Sequence, residues 1–417
     1  MPAAIPARSI PHFWRLIPVA VFVALVWFRL PTITRHGRFW AEEGTDFFRN
    51  AAIMPWWQAL LHPAKAGYLV LIGNLGGVLA RHAVRLEDAP HCTMALGLAA
   101  QTLPMALLAG ARDAWVKRPT VLFTAALILA MPPVCDEVWL STTNSNFHIA
   151  LAAALCLVLQ VPQSGLSRAA LLLLAPLCGP ASSALVPLFA LRAWLDRDRG
   201  RAVQAACLTA GTLVQFLVFY TPLANRGHML GPATLSAIFA VKHLAIPLLG
   251  EQAAAVMATQ LHGDILSGRY PIAAMLAVAS VAALLLVACL RRRAPEPPWL
   301  LLAGMAIALL SYSGALNAGP SLITTVSGNR YAYAPCMLFA LAVLALAATG
   351  TDLLARGAWA GVVWLLAIAV QQTVLPQDPI FTQGPSWKAE LRAWRANPAH
   401  PLAVWPAGWS LHLPPPA

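Results

Sequence analysis

Charge is what this chain has least of. Only 11% of its 417 residues are charged, and 59% are apolar; a soluble domain averages roughly 25% charged and about 45–50% apolar. That imbalance excludes an ordinary soluble fold. Alternation is missing too: the apolar stretches are solid, which excludes a membrane β-barrel, whose strands alternate apolar and polar positions. There is no basic stretch interleaved with aromatics, so the formal net charge of +12 reports topology and lipid headgroups and no nucleic-acid partner. The seven cysteines are scattered through apolar segments with no CxxC, the pattern of small core residues. HExxH is absent, and His62, His148, His228 and His262 lack metal-ligand spacing. The residues therefore indicate no metal site, while leaving a divalent cation open as a cofactor. No small-residue cleavage site follows the first apolar run, which predicts a retained span.

What is present is a succession of apolar runs long enough to cross a bilayer core ~30 Å thick. They predict an all-α, polytopic integral membrane protein with about 11–13 transmembrane helices. The first span is expected near 14–31 and, with Arg8 and Arg15 before it, starts from a cytoplasmic N-terminus. Segment 32–67 is then a first external loop, and its "FFRNAAIMPWWQALL" predicts helices on the membrane surface. Further spans are expected near 68–84, 90–110, 119–135, 147–161, 202–222, 271–290, 299–316, 332–349 and 358–375. The stretch 171–195 carries Pro176, Gly179 and Pro180, the mark of a broken helix. Cytoplasmic turns are marked by "DRDRGR" (196–201) and "RRR" (291–293). Segment 223–270, interrupted by Lys242 and His243, reads as external or re-entrant. The whole of 1–375 forms one transmembrane domain, followed by an extracytoplasmic Trp/Pro-rich tail, 376–417.

Three of the 16 acids fall within five positions, Glu42, Glu43 and Asp46, just past the first span. A charged residue at the centre of a membrane helix costs ~2.5–3.5 kcal/mol, so these acids are expected to face water. Thr45 or Asp46 could cap the surface helix that follows, but capping leaves the two glutamates unexplained. Adjacent carboxylates in a partly dry site raise one another's pKa, which suits proton transfer. A second cluster is "TTVSGNRYAYAP" (324–335). Arg330 is the only arginine between Arg293 and Arg356, on the side where orientation does not require one. It fits either snorkelling to lipid headgroups or a fork for the phosphate of a bound lipid, with Tyr331 and Tyr333 as walls. A third, "DEVWLSTTNSNFH" (136–148), offers Asn144, Asn146 and His148 as a rim for sugar hydroxyls, or is a plain polar loop. His62 and Lys65 are candidates to assist phosphate or acceptor binding. In the tail, Trp387, Leu391 and Trp394 share one helical face, suited to a lid or to membrane anchoring.

With these features in view, the chain resembles the GT-C superfamily of membrane glycosyltransferases, most of all its uncharacterised bacterial members. "FWAEEG" looks like the catalytic first loop of that superfamily, "LCGPASSALVPL" like its mid-chain helix break, and "GNRYAYAP" like its arginine-tyrosine entry to a late span. The likeness extends over most of the chain in layout, although the acidic motif is Glu-Glu where aspartate is commoner and no large soluble C-terminal domain follows. It implies transfer of a sugar from a polyprenyl-phosphate carrier to a lipid or glycan acceptor on the outer face of a bacterial inner membrane. Glu43 or Glu42 would be the general base, with Asp46 nearby; Arg330 would hold the departing phosphate. The competing expectation is a transporter or flippase of a lipid-linked or anionic substrate; it predicts paired halves with matched breaks, and the sequence shows one break. A polymerase or ligase of lipid-linked glycans ranks third, since segment 223–270 holds only Arg226 and Arg269.

Overall fold

The computed structural model describes residues 12–162, 165–222, 230–292, 294–315, 319–374 and 379–415; Arg8, Arg226, His228 and Arg293 lie outside them. Most of the described chain is helical. Six helices are long and apolar enough to cross a membrane: Leu86–Gly110, Arg199–Phe219, Pro232–Leu249, Ile272–Arg292, Asn329–Ala348 and Leu353–Thr373. This is an all-α chain of membrane-protein character. Several of the other expected spans are shorter as helices than their apolar runs. Leu16–Arg29 and Ser145–Val158 have 14 residues each, and Leu71–His82 and Pro119–Ala130 have 12. At 1.5 Å per residue these cover roughly 18–21 Å, less than the bilayer core, because the runs continue into turns. Among the described residues, full-length helices therefore number fewer than the 11–13 crossings that hydropathy suggests.

Ser145–Val158 is the central helix, and every one of its residues is buried. It packs on Ala89–Gly110, Glu296–Ser313 and Asn329–Ala348. Its last carbonyls, left without partners inside the helix, are capped by two buried arginines, Arg192 and Arg201, and a third, Arg168, bonds the chain just past its end. Arg192 Nη1 bonds Leu157 O and Val158 O (2.5 and 3.0 Å), Arg201 bonds Cys156, Leu157 and Leu159 O (2.8–3.0 Å), and Arg168 bonds Gln160 O (2.7 Å). Cations at a helix C-terminus complement its dipole, which reconciles buried charge with this apolar core.

The expected break is present. Leu166–Leu174 ends, short 3-10 turns cover Pro176–Cys178 and Pro180–Leu185, and Val186–Asp196 resumes the helix. Gly179 between them has φ +148, and a Cβ there would lie 2.9 Å from the Asn146 side chain. The break is thus pressed against the start of the central helix.

Two local readings of the sequence differ from the structure. Segment 232–249 is one continuous helix with a π-type stretch over Ala240–Ala245, long and apolar enough to cross a membrane. Lys242 and His243 do not interrupt it because both find partners inside the protein. Lys242 Nζ bonds Ser327 O (2.8 Å) and Asn329 Oδ1, and His243 contacts Cys336 Sγ (3.2 Å) and Tyr312 OH (2.8 Å). In the first loop, neither Thr45 nor Asp46 caps a helix. The chain enters a π-type turn at Glu43–Phe48, continues as Arg49–Ile53, and resumes after Pro55 as Trp56–Leu60, with Trp56 and Trp57 exposed.

The tail folds back onto this loop. Helix Trp387–Ala396 buries Trp387, Leu391 and Trp394 with Phe39 and Phe48. Strands β1 (Leu402–Val404) and β2 (Trp409–Leu411) form an antiparallel hairpin in the register Leu402↔Leu411. Trp405 then adds a parallel bridge to Trp40: its N–H donates to Phe39 O (3.1 Å), and its carbonyl accepts from Ala41 N (2.5 Å).

Candidate active site

Loop 135–145, between Pro119–Ala130 and the central helix, gathers charges from distant parts of the chain. Small residues let it sit deep. A Cβ on Gly97 would meet the Ser141 backbone at 2.9 Å, and one on Gly76 would meet Thr142 at 3.0 Å. Gln101 ties the loop from below, donating to Val138 O (3.0 Å) and accepting from Leu140 N (3.2 Å). Leu140 (φ 51), Val134 (φ 53) and, in the acidic motif, Ala41 (φ 45) hold left-handed conformations unusual for residues with a Cβ. Such strain concentrates where surrounding structure fixes a functional geometry.

Asp136 pairs with Arg29 (2.8 Å). Glu137 grips Arg330 twice, Oε2 to Nη1 at 3.1 Å and Oε1 to the backbone N–H at 3.2 Å. Arg330 also donates to Tyr331 OH (3.4 Å), and its side chain keeps 39% of its surface open. Glu42 is half-buried, and its charge acts on Arg330. Asn144 supports the same corner by donating to Glu137 O (2.8 Å). Glu42 and Arg330, 288 positions apart by numbering, are thus linked electrostatically, while Glu137 pairs directly with the arginine.

Glu43 does not face water; it is 1% exposed. Its Oε1 accepts from Thr142 N (2.5 Å) and Thr142 Oγ (2.7 Å), and its Oε2 accepts from Trp40 N (2.8 Å). Burial pushes its carboxyl above the ordinary carboxylate value, against those hydrogen bonds and the Arg38 charge. Arg38 is wholly buried and donates from Nη2 to Trp139 O (2.9 Å), its guanidinium 4.6 Å from the Trp40 ring. Burial lowers its pKa to about 10, with Glu43, Asp136 and Glu137 opposing, so it stays protonated at neutral pH.

The remaining expected residues divide. Asp46 is buried and ties down the next loop, through Lys65 N (3.1 Å) and Lys65 Nζ (3.2 Å). It is a structural acid with both oxygens engaged. His62 and Lys65 are exposed, and their contacts hold the loop: Asn74 Nδ2 bonds the His62 carbonyl at 2.8 Å. His148 and Tyr333 are packed ring on ring (4.3 Å between centroids) against Trp139, with the Tyr333 hydroxyl and both imidazole nitrogens unpartnered among the described residues. The Asn144 carbonyl acts on that imidazole from outside hydrogen-bonding geometry. Asn146 is buried under the helix break. Neither Asn144, Asn146 nor His148 is open as a rim for sugar hydroxyls, and Tyr333 is not open as a wall beside Arg330, since each is at most 9% exposed.

Glu137, Thr142, Arg38 and Gln101 were not singled out from sequence. Glu137 carried the same signal as Glu42 and Glu43, an acid between apolar runs in a chain short of acids. Among the described residues, no group of three or more His, Cys, Asp or Glu side chains could hold a metal. Comparison with protein-family models, curated proteins and solved structures returns no match for this chain.

Proposed function

We propose that this protein is a membrane glycosyltransferase of the GT-C kind, moving a sugar from a polyprenyl-phosphate carrier to a lipid or glycan acceptor on the extracytoplasmic side of a bacterial inner membrane. Its N-terminus would then be cytoplasmic and its tail outside. What supports this reading is the partly open Arg330–Glu137 pair, with the charge of half-buried Glu42 acting on the same arginine. Transfer needs little more: a base for the acceptor proton and a fixed cation for the leaving phosphate.

The division of labour follows from exposure. Glu42 is open enough to take the acceptor hydroxyl proton as the new bond forms at the anomeric carbon. The bond from that carbon to the phosphate oxygen breaks, and its electron pair stays on the phosphate. Arg330 exchanges Glu137 for that phosphate, a trade between two oxyanions of similar fork geometry. Glu43, with three hydrogen bonds and no access to water, positions the loop and does not act as the base. Attack from the side opposite the phosphate would invert the anomeric centre.

Purified protein given labelled polyprenyl-phosphate sugar tests this. Release of lipid phosphate with transfer or hydrolysis of the sugar, lost in Glu42→Gln, supports the enzyme. Movement of intact lipid-linked sugar across proteoliposomes, surviving Glu42→Gln, supports a flippase and overturns it.

A further inference from the structure

Arg38 has donors that the structure leaves unused. Its Nη2 bonds Trp139 O, while Nε and Nη1 are buried with no hydrogen-bond partner among the described residues. Glu43, Asp136 and Glu137 act on its charge, yet none of them is within ion-pair distance. Buried guanidinium groups in proteins ordinarily have their N–H groups met by oxygen. The Trp139 carbonyl closes one side. The guanidinium also lies over two indole rings, Trp40 at 4.6 Å and Trp405 at 6.0 Å.

Trp405 belongs to the tail hairpin, attached here by the two backbone bonds flanking Trp40. Its own Nε1 is satisfied within the tail, by Pro385 O (3.0 Å). The hairpin beyond it, Ala407 to Ser410, is exposed. The cover over Arg38 is therefore a short strap, held to the first loop by these two backbone bonds and by the buried side chains of Leu402, Val404, Trp405 and Leu411. Arg38 also shares Glu137 as an electrostatic neighbour with Arg330, the proposed holder of the leaving phosphate.

We propose that Arg38 is a second oxyanion-binding residue, which takes a phosphate oxygen on Nε and Nη1 when the Trp405 strap lifts. Glu137 then has two guanidinium groups as electrostatic neighbours, Arg330 paired with it and Arg38 uncovered only when the strap lifts. The inference rests on the sugar-transfer reading for the source of the phosphate. Its test reads binding alone, so the two can fail separately.

The strap can be locked. A Cβ on Gly44 would lie 3.0 Å from Val404 Cγ1, next to Trp405, so Gly44→Cys with Val404→Cys makes a reducible tether. Full-length protein in nanodiscs is titrated with polyprenyl phosphate, and separately with inorganic phosphate as competitor. The oxidised tether is expected to bind polyprenyl phosphate at least about tenfold more weakly than the same protein after reduction, and Arg38→Gln to bind as weakly as the oxidised tether. Arg38→Lys should retain part of the affinity, since it keeps the charge without the fork. Competition by inorganic phosphate that depends on Arg38 identifies a free oxyanion as sufficient; binding only of the lipid form identifies the headgroup. Equal affinity of oxidised and reduced tether, or wild-type affinity in folded Arg38→Gln, would overturn the proposal. Arg38-dependent binding in a protein that never transfers sugar would uphold it and overturn the enzyme.

Discussion

Arg330 and Glu137 hold each other at two points, side chain to side chain and backbone N–H to carboxylate. The pair fixes the first turn of helix Asn329–Ala348 to the loop that also bonds Glu43. Because the arginine side chain is more than a third exposed, screening keeps the pair's stability contribution to about 1 kcal/mol or less. Arg330→Ala should therefore melt close to wild type while losing about 100- to 1000-fold in turnover, the usual cost of removing one preorganised charge donor. A calorimetric scan beside a transfer assay checks both; a large drop in melting temperature would make Arg330 a structural residue.

Glu43 gives a pH signature. Its folded-state pKa is raised above 4.5, chiefly by burial, so the folded protein holds that proton more tightly than the unfolded chain. The resulting stabilisation is complete below 4.5 and is lost as pH rises through the folded value. Glu43→Gln, neutral at every pH, lacks this term. Wild type minus Glu43→Gln stability should fall as pH climbs from below 4.5, then level off. A flat or rising difference, from unfolding midpoints in one detergent, would show that the Thr142 and Trp40 bonds outweigh burial.

Trp387 is the tail's main anchor, 3% exposed, its Nε1 bonded to Leu86 O (2.7 Å) and its ring 5.0 Å from Phe39. Trp387→Ala should cost about 3–5 kcal/mol of docking and make residues 385–411 sensitive to protease while the helical remainder resists. Equal protease resistance in wild type and variant would contradict the packing.

Gly97→Ala forces a methyl against the Ser141 backbone, where nothing flexible can yield, whereas Gly76→Ala meets only the Thr142 side chain. The first should destabilise by about 1–3 kcal/mol and perturb the site; the second should be milder. Thermal midpoints rank them, and the reverse order would mean that the loop is not seated as described.

Much of this was legible in the sequence. Solid apolar runs predicted helices, Pro176-Gly179-Pro180 predicted the break, and the spacing of Trp387, Leu391 and Trp394 put them on one helical face, which the structure buries. Helix lengths were less legible, because hydropathy runs past the point where the backbone leaves the helix, as after Ala130. Lys242 was misread for a related reason: a polar residue looks like an interruption until its partners, 85 and 87 positions away, are known. The same holds for Glu43, which looks like a solvated acid and is satisfied by Thr142, 99 positions on. Pairing across such distances leaves no periodic trace.

The most direct test compares Glu42→Gln with Glu43→Gln in one sugar-transfer assay using labelled polyprenyl-phosphate sugar. The half-buried acid whose charge acts on Arg330 is expected to carry the proton, so Glu42→Gln should lower turnover by about 100- to 10,000-fold. Glu43→Gln, which keeps the shape of a buried and hydrogen-bonded group, should retain most of it. Unimpaired transfer in Glu42→Gln, or no transfer by the wild-type protein, would contradict the account.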